Sequence, residues 1–170
     1  MSPAARHVAL LRGVNVGGHN MLPMARLREL LGGLGYEGVR THLQSGNVVF
    51  EASGRPPESE AREIEDQIEC GLGLRVPVLV RTGEELAAVV AGNPLLDTAT
   101  VPARLLVTFL SSAPATELLD GLDPADYEPE LFGVGTREIY VWCPEGVRAM
   151  KLGYAFWEKR LGVTATARNW

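Results

Sequence analysis

The sequence predicts an α+β protein of two tandem ferredoxin-like units, each with the element order β-α-β-β-α-β. Three observations carry this expectation. Short apolar runs of strand character alternate with stretches of helical period over residues 7–81. The same order of elements restarts at Leu105 and runs to Arg168. One extra helix lies between the copies, opened by the capping box Thr82-Gly-Glu-Glu85. The repeat lies in the order of elements and not in residue identity.

Taken in order, His7 to Leu11 is apolar on both faces, as a central strand should be. A helix starts at Pro23, with Leu22 as its cap residue, and its stripe is Leu27, Leu30, Leu31 and Leu34. Gly32, Gly33 and Gly35 end it. Val39 to Ser45 and Val48 to Ala52 form two strands joined by a two-residue turn at Gly46-Asn47. Glu58 to Leu72 is a helix with Ala61, Ile64, Ile68 and Leu72 inward and acidic residues 58, 60, 63, 65, 66 and 69 toward solvent. Val76 to Arg81 is a strand that Pro77 places at an edge. The connecting helix turns Leu86, Val89 and Val90 inward and ends at Asn93-Pro94.

In the second copy the strands are Leu105–Leu110, Leu131–Val134, Glu138–Cys143 and Val163–Arg168. The helices are Ala115–Leu122 and Ala149–Leu161. The expected division is a first unit with connecting helix at 1–93, a linker at 94–103 and a second unit at 104–170.

The chain has 170 residues, is 46% hydrophobic and 22% charged, and therefore has the composition of a globular protein. No apolar stretch reaches the roughly 18 residues that would span a bilayer. The N-terminus lacks the pattern of a signal peptide, so a cytoplasmic protein is expected. A net charge of −5 argues against a dedicated duplex-DNA binder, whose affinity rests on many phosphate contacts. Two cysteines and three histidines at these spacings give no metal motif, and no cofactor is expected. A small anionic or polar ligand fits best as the partner.

Topology locates the candidate site. In a ferredoxin-like sheet the first two strands run the same way, with the third antiparallel between them. The loop after strand one, Arg12 to Asn20, and the turn Gln44-Ser-Gly-Asn47 should therefore meet at one rim. The residues expected there are Arg12, Asn15, Gly17, Gly18, Asn20, Gln44, Ser45 and Asn47. Glycines let backbone N–H groups approach a ligand, and a helix N-terminus adds partial positive charge. The same glycines also suit a plain β-to-α turn. Lys151 and Arg168, beside Trp170, form a further polar group in the second unit that would suit a phosphate or carboxylate.

Two other classes stay open. An enzyme of phosphoryl or acyl transfer would use the same rim, with His19 or His42 as its acid or base. A module for single-stranded nucleic acid or protein would use Tyr140, Trp142 and the last helix. That helix shows two apolar stripes: Met150, Tyr154, Trp157 and Leu161, and Leu152, Ala155 and Phe156.

The segments ALLRGVNVGG, LPM, LREL, QSGNVVF and ARNW resemble, along essentially the whole chain, the bacterial family of domain of unknown function 1697. Its members typically carry RGINVGG, QSGNVVF and TRNW at similar separations. The resemblance implies the same fold and implies little about activity, because the family has no established biochemical function. The chain departs from it at His19, where lysine is frequent, and at Met150-Lys151-Leu152, where Ser-Lys-Leu is common. Members usually continue past TRNW with a short helix, whereas this chain stops at Trp170, so a truncation or a partner surface is expected there.

Overall fold

A computed structural model describes residues 2–170 as a mixed α+β protein with two four-stranded antiparallel sheets and five α-helices. Two compact units divide between Ala87 and Ala88. No helix among the described residues is long and apolar enough to cross a membrane.

The first unit comprises β1 (Arg6–Leu11), α1 (Met24–Gly33), β2 (Arg40–His42), β3 (Asn47–Glu51), α2 (Pro57–Leu72) and β4 (Val78–Thr82). Its sheet has the order β2-β3-β1-β4, every neighbour antiparallel. β1 is central: Ala9 pairs with Val48 on one side and Val80 on the other. Ala9 and Leu11 pack with Leu27, Leu31, Phe50, Ile64 and Ile68 in one core between the sheet and the two helices. β4 is an edge strand, and Pro77 immediately precedes it. There a residue without an N–H costs the ladder nothing, and its carbonyl accepts from Arg12 N–H at 2.9 Å.

Three local expectations for this unit need correction. Pro23 is the cap residue of α1, not its first residue, so Leu22 lies outside the helix as a buried core side chain. β2 is only three residues long, and the turn after it spans four residues, 43–46, with Asn47 paired to His42. Asn47 closes that turn by donating from Nδ2 to His42 O at 3.1 Å. Glu60 is fully buried, not solvated.

α3 (Gly83–Ala91) spans the division between the units. The expected capping box forms: Glu85 N–H donates to Thr82 Oγ1 at 3.0 Å, and Thr82 N–H donates to Glu85 Oε2 at 2.8 Å. Val89 is buried, but Val90 is exposed, contrary to its expected inward place.

The second unit contains β5 (Leu105–Leu110), α4 (Thr116–Asp120), β6 (Leu131–Val134), β7 (Glu138–Trp142), α5 (Tyr154–Leu161) and β8 (Ala165–Asn169). Its sheet has the order β6-β7-β5-β8, again antiparallel throughout. All six residues of β5 are buried, as its continuous apolar run predicts. α5 begins five residues later than its periodicity suggests. The buried Glu130 carboxylate accepts from Lys151 N–H (2.6 Å) and Leu152 N–H (3.0 Å), which holds that segment as a bend ahead of the helix. Of the second apolar stripe, Leu152 is buried and Phe156 partly so, while Ala155 is exposed; Trp157 of the first stripe is buried. Tyr127 meets Phe156 edge-on at 5.4 Å, and Phe132 meets Trp157 likewise at 5.4 Å.

Candidate functional site

The loop after β1 and the turn after β2 meet, and Asn15 joins them. Its Nδ2 donates to Leu22 O (3.0 Å) and Gln44 O (2.7 Å), while its Oδ1 accepts from Leu22 N–H (2.8 Å). Leu11 N–H donates to Gly46 O at 2.9 Å, so backbone also bridges the two segments. A Cβ on Gly46 would lie 2.7 Å from both Leu11 Cβ and Val14 Cγ2. That glycine is required by close approach as well as by its φ of +79°.

The loop is itself a small folded element. His19 N–H donates to Val16 O (2.9 Å), and Asn15 N–H donates to Asn20 O (3.2 Å). Asn20 Nδ2 donates to Gly13 O at 3.3 Å. Asn47 Nδ2 reaches Ser45 Oγ at 2.9 Å as well as His42 O. The amide side chains of Asn15, Asn20 and Asn47 are thus engaged in shaping the rim. Gly17, Gly18, Gln44 and Ser45 are exposed on it, and Arg12 is half-buried at the end of β1. No side chain caps α1, so its first amides have no side-chain acceptor. Val16, Met21 and Leu43 are exposed apolar residues on the same two segments.

Lys151 and Arg168 stand in the second unit. Lys151 is exposed, in the bend held by Glu130 and not at the start of a helix. Arg168 is half-buried in β8 and donates to Thr166 Oγ1 and Ala167 O, both at 2.8 Å. Burial lowers its pKa to about 10.

Tyr140 and Trp142 are 1% and 8% exposed, so no base can stack on them, and the nucleic-acid reading through these rings fails. The Tyr140 hydroxyl donates to Val89 O at 2.7 Å, and burial pushes its pKa up to about 12. His19 and His42 are both exposed.

A network at the opposite end of β1 escapes a sequence reading. His7 Nδ1 lies 2.5 Å from Glu60 Oε2, with both residues buried. Glu60 Oε1 accepts from Ser53 N–H (3.0 Å) and Ser53 Oγ (2.7 Å). Ser53 Oγ accepts from Arg55 Nε at 3.2 Å. Arg55 pairs with Glu63 at 2.7 Å and donates to Tyr36 Oη at 3.3 Å. The hydrogen bond from Arg55, then that from Tyr36, holds the Glu63 carboxyl below its usual range. A signal for Glu60 does exist in the sequence: 60, 64 and 68 are spaced by four, which puts the carboxylate on the stripe of Ile64 and Ile68.

A family model described as "Protein of unknown function (DUF1697)" matches residues 4–140. The match includes RGVNVGG and QSGNVVF and ends before ARNW. Among solved structures, the conserved bacterial protein SP0830 from Streptococcus pneumoniae is similar with a TM-score of 0.74 and 22% identity. The similarity covers 98% of this chain and 93% of that chain, and at this identity it is a likeness of fold. No curated protein matches the chain significantly.

Proposed function

The chain belongs to the DUF1697 family, and we propose that it is a binding protein for a small anionic or polar, nucleotide-like ligand held at the rim between the loop after β1 and the turn after β2. We read each unit as ferredoxin-like, and the order β2-β3-β1-β4 with antiparallel neighbours supports that reading for the first.

One observation carries the site. Among the described residues, three non-glycine residues have positive φ: Asn15 (53°), Asn20 (47°) and Leu43 (61°). All three lie on this rim. The left-handed region costs a side-chain-bearing residue about 1–2 kcal/mol. Asn15 and Asn20 offset that cost with local hydrogen bonds. Leu43 is 69% exposed and gains no burial in return. Strain without a packing reason is a mark of ligand loops and supports a functional use.

The exposed groups suggest the ligand's two halves. Backbone N–H groups of Gly17, Gly18 and the uncapped start of α1 suit an anionic oxygen. Val16, Met21 and Leu43 suit a flat or apolar moiety.

The test is a titration of the ¹⁵N-labelled protein with mononucleotides, sugar phosphates and dicarboxylates, following backbone amides. Shifts concentrated at Gly17, Gly18, Leu43 and the first turn of α1, lost in Gly18→Val, are expected. Shifts absent from the rim across the whole panel overturn the assignment.

A further inference from the structure

Ser53 is an exposed residue whose hydroxyl is bonded to a fully buried carboxylate. β3 ends at Glu51, and Ala52 N–H donates to Ala5 O at 2.8 Å, which fixes Ser53 just beyond the sheet. From the first turn of α2, Glu60 Oε1 accepts from Ser53 N–H (3.0 Å) and Ser53 Oγ (2.7 Å). Its Oε2 is held by His7 Nδ1 at 2.5 Å. Arg55 sets a cation against the same hydroxyl: its Nε donates to Ser53 Oγ at 3.2 Å, and its backbone N–H at 3.3 Å. With both acceptor positions of Oγ served by Arg55, the hydroxyl's own proton is directed to Glu60.

The arrangement works on that proton from two sides. Ser53 N–H and His7 hold one carboxylate oxygen each, so Glu60 is fixed as the acceptor. The Arg55 guanidinium beside Oγ favours negative charge on it. That guanidinium is itself anchored by Glu63 at 2.7 Å and Tyr36 Oη at 3.3 Å. Satisfying Glu60 alone accounts for the two Ser53 donors, but not for the cation on Oγ. A hydroxyl, a base within hydrogen-bond reach and a third group orienting the base form the arrangement that activates a nucleophile.

We propose that Ser53 is a nucleophile toward small carboxylic esters, with Glu60 as its general base. The Ser53 Oγ–carbonyl carbon bond forms and the ester C–O bond breaks, while the Ser53 proton passes to Glu60 Oε1 and then to the leaving oxygen. Water next attacks the acyl-serine and gives a proton to Glu60, which returns it to Ser53 Oγ. The net reaction is hydrolysis of the ester to acid and alcohol. The carbonyl carbon displaces the longer contact, from Arg55 N–H, while Arg55 Nε stays on the oxygen. His7 is a positioning residue, which fixes Glu60 and touches no substrate. Arg6, the first residue of β1, pairs with Glu51, so Ser53 stands at the end of that strand away from the rim.

A fluorophosphonate, which transfers its phosphonyl group to activated serines with loss of fluoride, tests this in the full chain, with the labelled residue located by peptide mass. Exposed Ser45 and Ser59 are internal references. Ser53 should be labelled at least about 10²-fold faster than either, the range of general-base assistance. Prior labelling, or Ser53→Ala, should abolish the release of nitrophenolate from p-nitrophenyl acetate. Glu60→Gln keeps an oxygen for the Ser53 donors but cannot take the proton, so it should slow labelling by a similar factor. His7→Phe should slow it too, and His7→Asn, whose amide N–H can stand where Nδ1 does, should restore it. No label on Ser53, or equal labelling of Ser53, Ser45 and Ser59, overturns the proposal. So does a folded Glu60→Gln that labels as wild type does, or a nitrophenolate release that Ser53→Ala leaves unchanged. The wild-type distribution of label decides the matter even where the Glu60 and His7 variants do not fold.

Discussion

Replacing Asn15 with alanine removes three hydrogen bonds and leaves a residue with φ +53° that has lost its local compensation. The largest loss is at Leu22, which is fully buried and whose N–H has Asn15 Oδ1 as its acceptor. An orphaned buried donor costs about 1–3 kcal/mol, and moving alanine into the left-handed region adds about 1 kcal/mol. Gln44 is exposed, so its carbonyl regains water and contributes little. The expected destabilisation is therefore roughly 3 kcal/mol, a large share of the stability of a typical domain. Asn15→Gly loses the same bonds without the backbone strain and should fall about 1 kcal/mol short of alanine. Asn15→Asp keeps an acceptor for Leu22 N–H but points its second oxygen at the carbonyls of Leu22 and Gln44, so it should do no better than glycine. All three tryptophans, Trp142, Trp157 and Trp170, lie in the second unit, so far-UV circular dichroism in urea and exchange of the Leu22 amide are the assays. The reasoning fails if alanine and glycine are equal, or if alanine lies within about 0.5 kcal/mol of wild type, the range of an ordinary surface substitution.

Two further outcomes are expected. Gly46→Ala brings a Cβ to 2.7 Å from Leu11 and Val14 at φ +79°, so it should destabilise by more than about 2 kcal/mol, measured by the same urea titration. Glu63 has a depressed folded-state pKa, chiefly from its Arg55 hydrogen bond. Its contribution is thus present above the unfolded carboxyl's pKa and is lost as pH falls below that value. Arg55→Met should flatten this acid limb of the stability–pH profile while leaving the profile above it parallel to wild type; an unchanged acid limb refutes the assignment.

Short apolar runs closed by turn residues were the most legible elements. Leu105–Leu110 is bounded where its apolar run places it, because local pattern and tertiary burial agree, and the partly exposed edge strand Leu131–Val134 is bounded by the turn at Gly135. The meeting of the two rim loops also followed from strand order. Misreadings arose where a distant residue decided a local structure. Glu130 delays α5 by accepting the amides of Lys151 and Leu152, and nothing within residues 149–161 announces it. Leu43 adopts a left-handed conformation that no leucine advertises, which lengthens the turn and moves Asn47 into β3. Glu60 was hidden by the expectation that charge faces water, although its spacing with Ile64 and Ile68 pointed inward. Its partner His7 comes from 53 residues away.

The two ends of β1 solve different problems, and this determines how substitutions there should behave. At the end bearing Arg12, the asparagine side chains are committed to backbone shape. Under the proposed function, recognition at that rim would draw on main-chain N–H groups, on the exposed Gln44 and Ser45, and on Val16, Met21 and Leu43, with the asparagines shaping the loop. Changing Asn15 would consequently alter shape first and affinity only through shape. At the end bearing His7, the ring is held through Nδ1 by the buried Glu60 carboxylate. A substitution such as Glu60→Gln can there change the donor and acceptor pattern while nearly preserving volume. Glu60 is nevertheless fully buried and holds both His7 and Ser53, so at this end too a side-chain change acts on folding. A loss of binding or reactivity in variants at either end has therefore to be judged against their stability.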